Sequence, residues 1–387
     1  MRKKTKSSRL ISLVTAFMLV ISLAALLPEG WLIKAGASTY TLDGTTWTYE
    51  ALDDDTLAIT AVKLGEATIA SHSVTIPNYI NGKKVTVIGA ADNATNIFGA
   101  TDLNITNVIL PSNLTTIGDN TFNGCSNLVK VEAQGKQISM IGSKAFYSCK
   151  KLNDFYMPSG IVEIGDYAFA DCVRLPVANM PNTVRSLGKY AFSGCTELEK
   201  VTISSNIEII AEGAFKDCKH LNDVTFSLGS KLRSIGKNAF YDCDYLGNIA
   251  LPDSLVYIYD NAFYDCNGLR NVILPEGVIS IGKKAFADCN GLEAIYIPEG
   301  TTIKDNALSG LNSKSLKVYG YTGSFAEIEA DDMGYLFVDV DELLESIYKN
   351  QATIYTVISD VNGNGKPYLT LSTDKSSSGS ISGLALR

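Results

Sequence analysis

The sequence predicts a repeat solenoid, mainly β with short turns, and two observations lead to this prediction. A phrase of the form I-G-x-x-A-F-x-x-C-x-x-L-x-x-V-x-I-P returns throughout residues 117–308. All eight cysteines fall within it, at successive spacings of 24, 23, 23, 23, 25, 23 and 23 residues. A fixed period in the twenties is typical of an array in which no single coil can bury its apolar face alone.

Each part of the phrase predicts a local structure. The L-x-x-V-x-I-P half alternates with period two and ends in proline, so it predicts strands that align into one long parallel sheet. The V-x-x-I-G part predicts a second, shorter sheet. The A-F-x-x-C part is too short for an α-helix and predicts a 3₁₀ or single-turn element. The glycine after most of the isoleucines, as in Gly165 and Gly188, predicts a tight turn with positive φ.

Two columns of identical side chains are predicted to form the core, each stacked coil on coil at a spacing of about 4.8 Å. They are Phe122, Phe146, Phe169, Phe192, Phe215, Phe240, Phe263 and Phe286, with Cys125, Cys149, Cys172, Cys195, Cys218, Cys243, Cys266 and Cys289. A disulfide requires converging Cβ vectors, whereas equivalent residues of stacked coils point in parallel. The thiols are therefore predicted to be reduced and buried. No metal site is predicted, because no two cysteines lie closer than 23 residues in the sequence.

Residues 1–37 are predicted to be a signal peptide. Basic residues between Arg2 and Arg9 precede the apolar run Leu10–Leu27, and Ala35-Gly36-Ala37 supplies a small-residue cleavage site. The alternative is an uncleaved anchor, since about 18 apolar residues can just span a bilayer. Cleavage predicts an exported chain that does not insert into a membrane, either secreted or held at the cell surface.

The domain predictions follow from where the phrase begins and ends. Residues 38–73 are predicted to form a β-hairpin cap, with strands at Trp47–Glu50 and Thr56–Thr60. The solenoid is predicted to span 74–318 and a closing cap 319–340.

The tail, 341–387, is predicted to begin with a short helix at Asp341–Lys349. A possible hairpin would pair Ala352–Ser359 with Pro367–Ser372, and the Ser/Gly-rich end is predicted to be a disordered linker.

The proline-ended strand together with A-F-x-x-C resembles the leucine-rich repeat variant of the bacterial BspA-like surface proteins. The resemblance covers roughly Val74–Tyr319, with eight coils that carry A-F-x-x-C or T-F-x-x-C. It implies a curved, right-handed leucine-rich repeat solenoid with an N-terminal β cap. It also implies adhesion and recognition of protein or matrix ligands at a cell surface.

Charge and residue content exclude several functions. Without its first 37 residues the chain has 27 basic and 40 acidic side chains, which argues against binding nucleic acid. Neither His72 nor His220 lies near a nucleophile motif, so no enzyme activity and no cofactor are predicted. Asp360–Gly365 matches the first half of a calcium loop, but Leu371 stands where the acidic twelfth ligand belongs, and a hairpin turn is the preferred interpretation.

Recognition is therefore predicted on the outward side of the strands, where the residues flanking the central Val point away from the core. The predicted ligand-binding residues are Tyr156, Asn179, Thr202, Thr225, Ile273 and Tyr296. The ligand would be a protein or glycan, host extracellular matrix among the candidates, bound by a monomer. Two alternatives stay open: a carbohydrate-binding or targeting module of a secreted glycan-degrading system, and a structural spacer.

Overall fold

The structure is a computed structural model that describes residues 37–52, 54–89, 96–98, 104–312, 315–349, 369–371 and 381–384. It is a mainly β solenoid of about 10 turns with few helices, which confirms the predicted fold class. The predicted signal peptide, except Ala37, and the Asp360–Gly365 loop lie outside the described residues.

An antiparallel sheet begins the chain. Its strands are β1 (Ser38–Leu42), β2 (Thr45–Ala51) and β3 (Leu57–Lys63), and helix α1 (Glu66–Ser71) follows. β3 also pairs in parallel with β6 (Lys83–Ile88) of the first coil, so this segment continues the array's own sheet. Trp47, on β2, is buried against the first coils. The segment thus covers apolar surface that the first coil would otherwise expose.

The L-x-x-V-x-I segments form the first parallel sheet. Its strands are β4 (Ser73–Thr75), β7 (Asn107–Leu110), β9 (Lys130–Ala133), β11 (Asp154–Phe155), β13 (Val177–Asn179), β15 (Lys200–Ile203), β17 (Asp223–Phe226), β20 (Asn271–Ile273), β22 (Ala294–Tyr296), β24 (Lys317–Gly320) and β25 (Leu336–Asp339). The sheet is interrupted between β11 and β13 and again between β17 and β20.

The V-x-x-I segments form the second parallel sheet. Its strands are β6 (Lys83–Ile88), β8 (Thr116–Ile117), β10 (Met140–Ile141), β12 (Glu163–Ile164), β14 (Ser186–Leu187), β16 (Ile209–Ile210), β18 (Ser234–Ile235), β19 (Tyr257–Ile258), β21 (Ser280–Ile281) and β23 (Thr302–Ile303). β5 (Tyr79–Ile80) pairs antiparallel with β6. This sheet is interrupted between β14 and β16.

The first interruption of the first sheet has a cause in the sequence. The N–H of Asn153 donates to the carbonyl of Val129, and the N–H of Glu199 donates to the carbonyl of Pro176. Pro176 occupies the equivalent position in the coil between them, and proline has no N–H to donate. The ladder therefore breaks after β11, directly beside Tyr156.

The A-F-x-x-C segments form successive turns with i+3→i hydrogen bonds, as from Cys172 N to Phe169 O. They do not continue as 3₁₀ helix, because two residues of each turn are left-handed. In one coil these are Tyr167 and Asp171, with φ of 56° and 58°. Both donate their N–H to the next coil, to the carbonyls of Lys189 and Ser193.

The glycines after the isoleucines were predicted to have positive φ, and for the central coils this prediction is wrong. Gly118, Gly142, Gly165, Gly188, Gly236 and Gly282 all lack it. A Cβ at any of them would lie 2.3–3.0 Å from atoms of the preceding coil. Glycine is required here by the close approach of two backbones and not by its own dihedral angles.

Two helices and a strand follow the last coil: α2 (Phe325–Met333), β25 and α3 (Val340–Lys349). Asp339 immediately precedes α3, and its Oδ1 accepts the N–H of Glu342 at 2.8 Å, as the side chain of an N-cap residue does. A final antiparallel pair joins β26 (Leu369–Leu371) to β27 (Ile381–Leu384). The partner of β26 is therefore a strand within the segment predicted to be disordered, and Ala352–Ser359 lies outside the described residues.

Candidate functional site

A continuous stack of phenylalanine rings runs through the core of the array. From Phe98 and Phe122 to Phe286, successive ring centroids lie 5.0–5.6 Å apart with nearly parallel planes. The phenylalanines of the repeat phrase are fully buried. Such a core holds each coil at a fixed spacing from the next, so outward side chains are presented on a rigid frame.

The cysteines lie beside the rings and none forms a disulfide. Seven are buried, and Cys125, in the first coil of the column, is half-buried. Burial raises the pKa of Cys125 to about 12 and also raises the pKa of the other seven thiols. A thiol held protonated in this way is a poor nucleophile and a poor metal ligand.

The outward side of the first sheet carries an exposed aromatic residue at its interruption. Tyr156 follows β11 and is 83% exposed. Val177, which begins the next strand, is also exposed. The tyrosine hydroxyl has no hydrogen-bond partner among the described residues. Both apolar groups therefore remain available to a partner molecule.

The polar residues beside Tyr156 are ordered by hydrogen bonds within and between coils. Thr202 Oγ1 lies 2.9 Å from Asn179 Oδ1, and Thr225 Oγ1 lies 2.9 Å from Asp223 Oδ1. Lys200 Nζ reaches Asp223 Oδ2 at 2.6 Å, and this contact lowers the pKa of the Asp223 carboxyl. The structure thus brings four predicted residues, Tyr156, Asn179, Thr202 and Thr225, onto one accessible face.

The two other predicted residues lie in a covered part of the sheet. Tyr296 is only 8% exposed and packs with Tyr319 and Val340. Its hydroxyl donates to Glu276 Oε1 at 2.8 Å. Ile273 packs against the same cluster. The expectation that Tyr296 points outward into solvent is therefore wrong, because α3 folds over this end of the sheet.

Stacked tyrosines along the A-F-x-x-C turns were not predicted as a surface feature. Tyr167 stacks on Tyr190 at 5.0 Å, and Tyr241 stacks on Tyr264 at 4.9 Å. The ammonium group of Lys216 lies 4.7 Å from the ring centroid of Tyr241. The spacing of these residues, one coil apart in the same column, was the signal that could have found them. Each ring has one face covered by its neighbour, which reduces the aromatic surface that remains for a ligand.

The described residues show no assembled catalytic group. His220 Nδ1 lies 2.7 Å from the carbonyl oxygen of Thr196, and its ring stacks on Tyr245. In this part of the chain no three His, Cys, Asp or Glu side chains gather as metal ligands would. Nor does any helix here have the length and apolar character needed to cross a bilayer.

Stacked coils of about 23 residues, with a strand on each side and a Phe/Cys core, define a leucine-rich repeat scaffold. A family model for the BspA type leucine rich repeat region matches residues 94–222 and 221–330, in six copies. The chain belongs to this family. Repeat scaffolds of this kind are typically non-catalytic, and BspA-like proteins are usually extracellular or on the cell surface.

Several solved structures are similar. A leucine rich cell surface protein of Faecalibacterium prausnitzii is 23% identical, with 78% of this chain and 95% of that one covered and a TM-score of 0.45. A leucine rich repeat protein of T. pallidum is 28% identical, with 52% and 87% covered and a TM-score of 0.45. A leucine-rich repeat protein of Bacteroides ovatus is 21% identical, with 78% and 99% covered and a TM-score of 0.38. No curated protein sequence matches the chain significantly.

Proposed function

We propose that this protein is an exported, non-catalytic recognition scaffold that binds a protein ligand on the outward side of the first sheet, between β11 and β17. We call this surface the strand face; its residues are Tyr156, Val177, Asn179, Thr202 and Thr225. The observation that carries the proposal is the 83% exposure of Tyr156 on a rigid sheet. A large aromatic group that packing does not require at the surface is typical of the residues that dominate binding energy.

The neighbouring polar groups support a preorganised site. Thr202 already bonds to Asn179, and Thr225 already bonds to Asp223, so binding would order few side chains. The charges are paired within the sheet, as in Lys200–Asp223, which leaves little net charge to attract a polyanion. This balance favours a protein ligand over an acidic glycan.

Glycan binding receives less support from the aromatic residues. Sugar rings are recognised through aromatic faces, and in the tyrosine stacks one face of each ring is covered by its neighbour. Tyr156 is 83% exposed, and for that reason the test includes glycans.

The test is binding of the exported chain to arrays of extracellular matrix proteins and of glycans. We expect a protein ligand whose affinity falls at least about tenfold in Tyr156→Ser. Tyr79→Ser is the matched control, because Tyr79 is exposed on a different part of the surface. Binding that Tyr156→Ser leaves intact would contradict the proposal. Binding of glycans alone would favour the carbohydrate module, and no binding would favour the structural spacer.

A further inference from the structure

A second exposed apolar surface lies on the second sheet, away from the strand face. Its members are Ile209, Tyr257, Tyr259 and Ile279, which we call the second-sheet patch. Ile209 is 57%, Tyr259 48% and Ile279 46% exposed. The rings of Tyr257 and Tyr259 are stacked at 6.2 Å. The phrase places no apolar requirement on these outward positions, since the core is already filled by the inward residues.

The patch is continuous because its strands are in register. Ile209 pairs with Ser234 and Ser234 with Tyr257, so one small residue separates two large ones. Ser234 is buried between them. Because Ser234 is only 6% exposed, its larger neighbours close over it, and Ile209 and Tyr257 form one apolar surface across three coils. Ile279 belongs to the following coil, and its N–H donates a hydrogen bond to the carbonyl oxygen of Val256.

A groove adjoins the second-sheet patch where the second sheet is interrupted between β14 and β16. Its volume is about 520 Å³, and its lining includes Arg185, Glu208, Ile209 and Lys231. A partner that packs against Ile209 would therefore also meet a polar groove on the N-terminal side of this residue. That combination of an apolar anchor point and polar surroundings is typical of interface centres.

The charge around the patch is positive, although the chain as a whole is acidic. Arg185 and Arg233 are exposed, and neither forms an ion pair with any described residue. The ammonium group of Lys231 donates to the amide oxygen of Asn206 and forms no ion pair with a described residue. Glu208 is the one carboxylate in the column between the two arginines.

We propose that the second-sheet patch is a docking surface for an acidic segment of another protein that packs an apolar side chain against Ile209 and Tyr257. The unpaired Arg185 and Arg233 would then meet the carboxylates of that segment. This inference does not depend on the function proposed for the strand face.

Two other occupants are disfavoured by charge. Residues 350–387 of this chain contain two Asp against two Lys and one Arg, so they do not complement a basic surface. A second copy docked symmetrically through the same patch would bring the arginines of both copies together. A separate acidic partner would complement the arginines and would not bring like charges together.

The experiment is selection of a random 12-residue phage-displayed library on the full exported chain, with I209S/Y257S selected in parallel. We expect wild type to enrich peptides that combine Asp or Glu with an apolar residue. In fluorescence anisotropy, their affinity should fall at least about tenfold in I209S/Y257S and in R185E/R233E, and should weaken with added salt. Because all four positions are exposed, circular dichroism and thermal unfolding should be unchanged.

Three matched controls separate the possibilities. Tyr156→Ser alters the strand face alone and should leave peptide binding intact. A loss of peptide binding can therefore be assigned to the second-sheet patch and not to the strand face. A chain ending at Lys349 should bind equally, and sedimentation should show no self-association through the patch. The proposal is overturned if no peptide is enriched, if the enriched peptides lack acidic residues, or if I209S/Y257S recovers the same peptides.

Discussion

The thiol of Cys195 donates a hydrogen bond to the backbone carbonyl oxygen of Phe169, 3.1 Å away in the preceding coil. The same oxygen accepts the N–H of Cys172. Equivalent thiol bonds of 2.9–3.2 Å recur from Cys149 to Cys289. The cysteines thus fill space beside the rings and also join each coil to the one before it.

Thiol labelling tests this arrangement. In the native protein we expect iodoacetamide to modify Cys125 first, because it is the least buried, and the other seven more than about tenfold more slowly than in denaturant. In denaturant without reductant, mass spectrometry should find all eight thiols modified. Fewer than eight would show that disulfides are present and that the column is not what the structure indicates.

Gly188→Ala should destabilise the protein strongly. A Cβ at Gly188 would lie 2.3 Å from the carbonyl carbon of Gly165, so two backbones would have to move apart. We expect a loss of roughly 2–4 kcal/mol, read from the denaturant midpoint. Gly247→Ala is the matched control, because nothing lies within 4 Å of its added Cβ; its effect should stay within about 1 kcal/mol. Equal effects of both substitutions would contradict the close-approach explanation.

Glu329→Gln should stabilise the protein at neutral pH. Glu329 is buried, its Oε1 accepts the N–H of Leu308 at 3.3 Å, and burial raises the pKa of its carboxyl. A raised pKa means that the folded state binds the proton more tightly, so the charged form costs stability above that pKa. Glutamine keeps the acceptor without the charge.

The pH dependence provides the check for Glu329. Melting temperatures of Glu329→Gln and wild type should differ most at pH 7–8 and converge as the pH falls through the raised pKa. A difference that grows on acidification would have the wrong sign for a carboxyl destabilised by burial.

Ending the chain after Asp339 should uncover the cluster beneath α3. Val340 is almost fully buried against Tyr296 and Tyr319, and Leu343 packs there too. We expect a stability loss on the order of 2 kcal/mol or more and an increase in dye binding to exposed apolar surface. A chain ending after Lys349 retains α3 and should behave like the full protein. If both truncations bind dye equally, α3 does not cover the sheet.

The repeat phrase predicted the architecture because its period reports directly on which residues stack. Phe and Cys, as in Phe192 and Cys195, occupy the same two positions of successive coils. A column of apolar side chains at one position is buried only if that position faces the inside of the solenoid. The same reasoning placed Tyr156, Asn179, Thr202 and Thr225 on the outward side of their strands. Local alternation was sufficient there, because nothing else in the described structure packs on that face.

Tyr296 shows where this reasoning stops. Its position in the coil is outward, like that of Tyr156, but a helix nearly fifty residues later in the chain returns to cover it. Period two specifies which side of a sheet a residue occupies and carries no information about what packs on that side. The left-handed residues Tyr167 and Asp171 were missed for a related reason. Tyrosine does not favour that conformation, so at Tyr167 the N–H bond to the next coil imposes it. Asp and Asn adopt it more readily and recur at these turn positions, as in Asp171 and Asn261.

Those left-handed residues make the protein modular in length. A non-glycine residue at positive φ is strained by about 1 kcal/mol or more, and here only the adjoining coil compensates through the N–H bonds of residues such as Tyr190. Deletion of one whole coil would bring two coils with equivalent backbones together. Every left-handed residue would then still face a backbone carbonyl of the next coil. Excision of a few residues would leave the strain in place with nothing opposite to relieve it. Insertions and deletions in such arrays should therefore comprise whole coils.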